Sequence, residues 1–285
     1  MPPSASKGRS GPLIITVAAV GAELTPEQQP NLPITPDDVG RDAEQCAAAG
    51  ASIYHLHVRD GSGAPTMDIG AFAVAKDEIE RRTDLIVQFT SGGAVTDTSD
   101  KRLAPLDLRP EMASLTTGTV NFGDDVFLNP IPMVRLFYGR MRSLGILPEF
   151  EIFEAGMIAS ADRLYHEAGS DHHRHYDFVL GVPGGMPAWA DSVEFLAGHI
   201  PADATWSATG IGKHHLDVTE AAISNGGHVR AGLEDVRYFA PRELATSNAQ
   251  LIERVAEMGR SAGRPIATPS QTRELLGLSE ERGNL

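Results

Sequence analysis

Cysteine is almost absent: the 285 residues contain one, Cys46. A single thiol excludes an intramolecular disulfide and any cysteine-rich metal knuckle. No apolar run approaches the roughly 18 residues that a membrane helix needs. Basic residues are also scarce, with 24 Lys plus Arg against 38 Asp plus Glu and a net charge of −14 when histidines are neutral. Such a surface repels phosphate backbones and anionic headgroups, which argues against nucleic-acid or membrane partners but leaves room for a local basic pocket. The opening MPPSASKGRSG lacks the apolar segment of a secretory signal, so a cytoplasmic location is expected, with residues 1–11 as a flexible leader. Missing too is a GxGxxG after the first apolar run, the fingerprint of a dinucleotide-binding, doubly wound sheet.

What is present is a composition that can bury a core, 41% hydrophobic and 22% charged. Short β-branched or alternating runs predict strands at Leu13 to Val20, Ala51 to Arg59, Leu85 to Phe89, Met112 to Thr116, Glu149 to Phe153 and Asp177 to Val182, and around Thr205 and Val229. Thr35, Pro36 and Asp38 form a cap, a tolerated proline and an acidic third position, predicting a helix to Ala49 that Gly50 stops. Helical spacing recurs over Ile69 to Arg82, Pro132 to Leu144 and Asn248 to Gly259. The strand starts recur about every 31 residues, the length of a strand–helix unit, and there are eight of them. The expected architecture is therefore an α/β TIM (β/α)8 barrel, one domain over residues 12–285.

Barrel chemistry gathers where strands end, and the unusual polar residues fall there. They are Glu23, then His55, His57 and Arg59, then Ser91, Thr116, Glu151 and Glu154, and finally Arg230, Glu234 and Asp235. His55 and His57 are two apart on one strand, so both point the same way with Cα atoms roughly 7 Å apart. Imidazoles so placed can share a divalent ion, and a third ligand should be an acid from another strand. Glu234 is the first choice, with Glu23 and Glu154 as alternatives. His172, His173 and His175, in GSDHHRHYD, are expected in a solvated loop. Of His214 and His215 one is expected to reach the pocket mouth, His228 is expected to be structural, and Cys46 is expected to be a small buried residue. Two glycine-rich segments, GVPGG with Gly184 and Gly185 and TGIGK with Gly210, Gly212 and Lys213, follow strands six and seven. Backbone can approach an anionic ligand closely there, although neither segment has P-loop spacing.

With TVAAVGAE, QPNLPITP, YHLHVRD, TSGGAV, RPEMASLTTGTVNFGDD, LGVPGGMP, TWSATGIGKHH, GGHVRAGLED, SNAQLIERV and ATPSQTRELLGL in that order, the chain resembles the β-keto acid cleavage enzymes from Pro12 to Leu278. That resemblance implies a TIM barrel, usually a homotetramer, with a divalent metal that is typically zinc. It implies a reaction in which a β-keto acid and acetyl-CoA give acetoacetate and a new acyl-CoA, with 3-keto-5-aminohexanoate as the first candidate substrate. By matched motif, His55, His57 and Glu234 are the implied metal ligands, Arg230 the implied clamp for the substrate carboxylate, and Asp235 its acid partner. Ser91, Ser114, Thr116 and Glu151 match pocket positions, and Glu23 one associated with a substrate ammonium. Thr116 replaces an expected asparagine, and Ser114 an expected threonine. An aldolase or hydrolase that needs no acetyl-CoA is the alternative enzyme class, and a non-catalytic metabolite-binding protein the remote one.

Overall fold

The computed structural model describes residues 11–279. The expected leader, Gly11 apart, lies outside those residues. Eight parallel strands close on themselves: β1 (Ile15–Ala18), β2 (Ile53–Leu56), β3 (Ile86–Phe89), β4 (Met112–Thr116), β5 (Leu147–Ile152), β6 (His175–Leu180), β7 (Thr205–Gly210) and β8 (His228–Ala231). Closure is direct, since Ile15 of β1 lies opposite Val229 of β8 while Thr16 of β1 lies opposite Ile53 of β2. The predicted barrel is thus observed, with shifts of about two residues where β5 and β6 start earlier than their apolar runs suggest.

Local sequence explains the helices between strands. Helix α1 (Pro36–Ala49) has the predicted capping box, in which Thr35 accepts from the Asp38 amide and Asp38 accepts from that of Thr35, and it ends on Gly50 at φ 116°. Caps of this kind contribute about 1 kcal/mol each. Helix α2 (Ile69–Arg82) buries Phe72, Ala75 and Ile79. The long helix Asn248–Ser261 turns Leu251, Ile252 and Val255 inward. A further helix, Pro269–Leu276, was not anticipated. It repeats the α1 signature, with Thr268, Pro269 and Gln271 as cap, first residue and capping-box partner. Its Leu276 joins Ile14, Ile53, Ile86, Met112 and Leu147 in an apolar plug that seals the barrel's N-terminal end. No described helix is long and apolar enough to cross a membrane.

Above the plug the interior turns polar, with Thr16, His55, Gln88, Ser114, Glu149, His175 and Asp177 all buried. His175 corrects one expectation. Instead of lying in a solvated loop it begins β6, wholly buried, with Nε2 3.2 Å from Glu149 and Nδ1 2.8 Å from the Thr205 hydroxyl. His172 and His173 are half-buried and hydrogen-bonded to Tyr138 and Thr205. Polar letters around a histidine suggest solvent, but a barrel with a polar interior accepts it as readily as the loop does. His228 is structural as expected, its Nδ1 accepting from the Ile14 amide at 3.1 Å.

The loops on the opposite, C-terminal face build the mouth. Three small antiparallel hairpins stand there: Val58–Arg59 with Pro65–Thr66, Val120–Phe122 with Asp125–Phe127, and Tyr238–Ala240 with Glu243–Leu244. Arms of two or three residues are too short to show alternation in sequence.

Candidate metal centre and active site

His55 projects from β2, and His57 follows its last residue, so the alternation that separates neighbours brings these two onto one face with ring centroids 5.2 Å apart. Glu234 arrives from the loop after β8. Its Oε1 lies 3.8 Å from His55 Nε2 and 3.7 Å from His57 Nε2. Among the described residues, these three form the one group of histidine, cysteine or carboxylate side chains able to hold a metal ion, their ligand atoms lying within 4.8 Å of one another. Glu154 is exposed and does not join them, and Glu23 stands at the cavity mouth.

The backbone around Glu234 is held from several directions. Asn248 accepts from the Leu233 amide at 2.7 Å and donates to the Ala19 carbonyl and to Asp42. Arg59 donates to the carbonyls of Gly21 and Leu24 at 2.8 and 2.9 Å, fixing the segment that carries Glu23. Gly21 has φ 57°, and a Cβ there would stand 2.5 Å from Glu234 Cγ, so the carboxylate occupies the space a side chain would take. None of these supports has a short-range sequence signal, because each partner is distant in the chain.

Arg230, on β8, is the charge centre. Its Nε and Nη2 donate to the two carboxylate oxygens of Asp235 at 3.1 and 2.8 Å, and Nη2 also reaches Glu234 Oε1 at 2.5 Å. Nη1 lies 3.6 Å from Glu151 and has no hydrogen bond, nor has Glu234 Oε2. One guanidinium therefore faces three carboxylates, Glu151 and Asp235 buried and Glu234 partly so. A divalent cation at the two imidazoles and Glu234 would supply positive charge and a partner for the orphaned oxygen, so the donor set fits such an ion in kind. Burial opposes ionisation of Glu234, yet Arg230 and the histidines hold its carboxyl down to about 2, the form a metal ligand needs. Burial also pushes His57 down to about 3, keeping its imidazole neutral.

Glu151, on β5, behaves oppositely. Burial drives its carboxyl up to about 7, against the pull of Arg230 and of the Thr116 hydroxyl, which donates to Oε2 at 2.6 Å. A carboxyl raised above its usual 4.5 binds its proton more tightly in the folded chain. Its contribution to stability is complete below the unfolded value and is lost as pH rises to the folded one. Glu151 is thus expected to make metal-free protein lose stability between pH 4.5 and about 7, by up to about 1.4 kcal/mol per pH unit on its own account, and Glu151→Gln to fall less steeply by that share, the buried Asp42, Asp177 and Asp235 keeping theirs. Urea unfolding of both proteins in chelator at pH 5, 6, 7 and 8 checks this; parallel curves would refute it.

The side chains open into a cavity of about 1020 Å³. Phe122, Phe127, Phe153, Val179 and Val182 form its apolar wall, and the three phenylalanines meet edge to face with centroids 6.2 to 6.4 Å apart. Phe122 and Phe127, though carried on a short loop hairpin, thus have an internal use. Ser91 and Ser114 are buried and do not themselves line the cavity, and the Ser91 hydroxyl donates to the Ser114 carbonyl at 2.6 Å. Gly212, Lys213 and His215 line it, so one of the paired histidines reaches the mouth as expected. Gly184 and Gly210 instead admit neighbouring chain: a Cβ would meet the Asn121 backbone and the His215 Cα, each at 2.6 Å. A Cβ at Gly185 would stand 3.2 Å from the Phe153 carbonyl oxygen. Arg237 and Arg242, not singled out in the sequence, add positive charge to the lining.

A closed α/β barrel with two imidazoles and a carboxylate gathered at its C-terminal mouth, over a buried arginine, is the framework of a metal-dependent barrel enzyme. The pattern of the beta-keto acid cleavage enzyme family matches residues 12–278. The chain is 42% identical over 270 residues to the 3-keto-5-aminohexanoate cleavage enzyme of Acetoanaerobium sticklandii, covering 94% of this chain and 99% of that protein. It is 43% identical to the enzyme of the same name from Fusobacterium nucleatum, covering 94% and 98%. The apo structure of ObcA shares the fold, with a TM-score of 0.74 at 20% identity over 87% of this chain and 66% of that one. The chain belongs to the β-keto acid cleavage enzyme family, as a metal-dependent member.

Proposed function

We propose that the protein exchanges acyl groups between a β-keto acid and acetyl-CoA, with zinc held by His55, His57 and Glu234. The observation that carries this reading is the convergence of those three ligands with Arg230, Asp235 and Glu151 at the floor of one apolar-walled cavity. In the exchange, C2 of the keto acid forms a bond to the acetyl carbon and loses its bond to the original acyl carbon, which leaves on the CoA sulfur. The products are acetoacetate and a new acyl-CoA, and one thioester is conserved. Zinc at this site supplies Lewis acidity toward a keto or enolate oxygen.

The chain's own residues do the rest. Asp235 holds the guanidinium on two donors, leaving Arg230 Nη1 to receive the substrate carboxylate. Glu151, 3.6 Å from Arg230 Nη1 and so beside the bound carboxylate, takes the C2 proton and returns it. Thr116, Ser91 and Ser114 shape the substrate's side of the floor. The phenylalanine wall excludes the water that would hydrolyse the thioester. At the rim Gly212 and Lys213, with Arg237 and Arg242, receive the phosphates of acetyl-CoA, while Gly184, Gly185 and Gly210 let the rim loops close up. A cytoplasmic homotetramer is the proposed working form, supported by apolar surface such as Leu128, which is 58% exposed; light scattering that finds only monomer under assay conditions would contradict it.

Glu23 favours 3-keto-5-aminohexanoate among β-keto acids. Partial burial and the nearby charge of Asp125 push its carboxyl up, a strain that a substrate ammonium would relieve. Acetoacetate is expected only when acetyl-CoA and a β-keto acid are both supplied; release of cleavage products without acetyl-CoA would identify an aldolase or hydrolase instead. In competition, wild type should favour the amino substrate over its deaminated counterpart by about tenfold or more, and Glu23→Gln should narrow that gap. An identical ranking in both proteins would remove Glu23 as the selector.

A further inference from the structure

Gln88 is the polar residue in the otherwise apolar strand β3, and its side chain is fully buried. The register of β2 on β3 sets it directly opposite His55. Its Oε1 lies 2.6 Å from His55 Nδ1, whereas the imidazole's other nitrogen, Nε2, faces Glu234. An amide oxygen only accepts hydrogen bonds, so this contact requires Nδ1 to carry the ring proton. The Nε2 lone pair is then free and aimed into the group of ligands. The reversed amide would turn NH2 toward Nδ1 and place the ring proton on Nε2, where it would block a metal. The remaining Gln88 nitrogen, Nε2, has no hydrogen-bond partner, so the one directed bond of this buried amide is spent on His55.

The choice of an amide also has an electrostatic consequence. A carboxylate behind His55 would add a negative charge to an interior that already buries Glu149, Glu151, Asp177 and Asp235 around Arg230. Carboxylates behind a ligating histidine make it more basic and so make the ion a weaker Lewis acid. We propose that Gln88 is the positioning residue of the metal site: it fixes His55 as the Nδ1–H tautomer with Nε2 toward the ion, and its neutrality keeps the ion electron-poor. This rests on the reading that His55, His57 and Glu234 hold the ion.

The test is zinc affinity of the full chain, measured by competition with a chromophoric chelator, for wild type, Gln88→Leu, Gln88→Glu and His55→Ala. Thermal unfolding of the metal-free proteins and kcat are recorded alongside. Gln88→Leu is expected to bind zinc about 10- to 100-fold more weakly, with the melting of its metal-free form little changed. Gln88→Glu is expected to bind zinc at least as tightly as wild type while kcat falls. Opposite effects on affinity from two replacements of one buried side chain are not what a packing role produces. Wild-type affinity in Gln88→Leu, beside a lost site in His55→Ala, would overturn the role of Gln88 alone. Wild-type affinity in His55→Ala would overturn the metal reading itself. Should the leucine protein fail to fold, weaker zinc binding with unchanged kcat in Gln88→Glu would still refute the proposal.

Discussion

Glu234→Gln is expected to empty the metal site and abolish turnover together. The carboxylate is the only anionic ligand of the three, and its Oε1 is the atom both imidazoles face, at 3.8 and 3.7 Å. An amide of the same shape carries no charge and binds zinc poorly. It also takes away an ion-pair partner of Arg230 while leaving the guanidinium buried. Zinc content should fall from about one ion per chain to near zero, and kcat/KM by about a thousandfold or more. His55→Ala should do the same by removing a neutral ligand. Metal analysis of each purified variant, read beside its kinetics, checks both. Full occupancy and rate in Glu234→Gln, with the site emptied by a Glu23 or Glu154 substitution, would assign the third ligand elsewhere.

Arg230→Lys should separate binding of the ion from handling of substrate. The guanidinium holds both Asp235 oxygens, touches Glu234 and keeps Nη1 directed toward Glu151. An ammonium on a shorter stem cannot hold a carboxylate on a fixed fork and still present a free donor at a second fixed position. The two histidines and Glu234 remain, so zinc content should stay near that of wild type. Loss of orientation at the reacting carbons should lower kcat/KM by about 100-fold. Because the buried carboxylates keep a positive partner, the protein should still fold, which Arg230→Ala would not guarantee. Steady-state kinetics indistinguishable from wild type would remove Arg230 from the site's chemistry.

The barrel was legible in the sequence because each strand is an apolar run too short for a helix and the runs recur at the length of a strand–helix unit. His55 and His57 were legible because two imidazoles at strand spacing must share a face. The final helix starts Thr-Pro-x-Gln where α1 starts Thr-Pro-x-Asp, so its cap was readable although its apolar face is short. Gln88 also had a signal, an amide inside LIVQF where every neighbour is apolar, but its partner His55 is 33 residues away. His175 was misplaced because a polar neighbourhood in sequence does not distinguish solvent from a polar barrel interior. The support that Asn248 gives to the Glu234 loop joins residues up to 229 positions apart, which only the fold brings together.

The most direct test is to strip the protein of metal with chelator and titrate zinc back while measuring acetoacetate formed from acetyl-CoA and 3-keto-5-aminohexanoate. The expected result is no product without zinc or without either substrate, and a rate that rises in proportion to bound zinc until about one ion per chain is held. Undiminished acetoacetate formation by the stripped protein would contradict a reaction that depends on an ion at His55, His57 and Glu234.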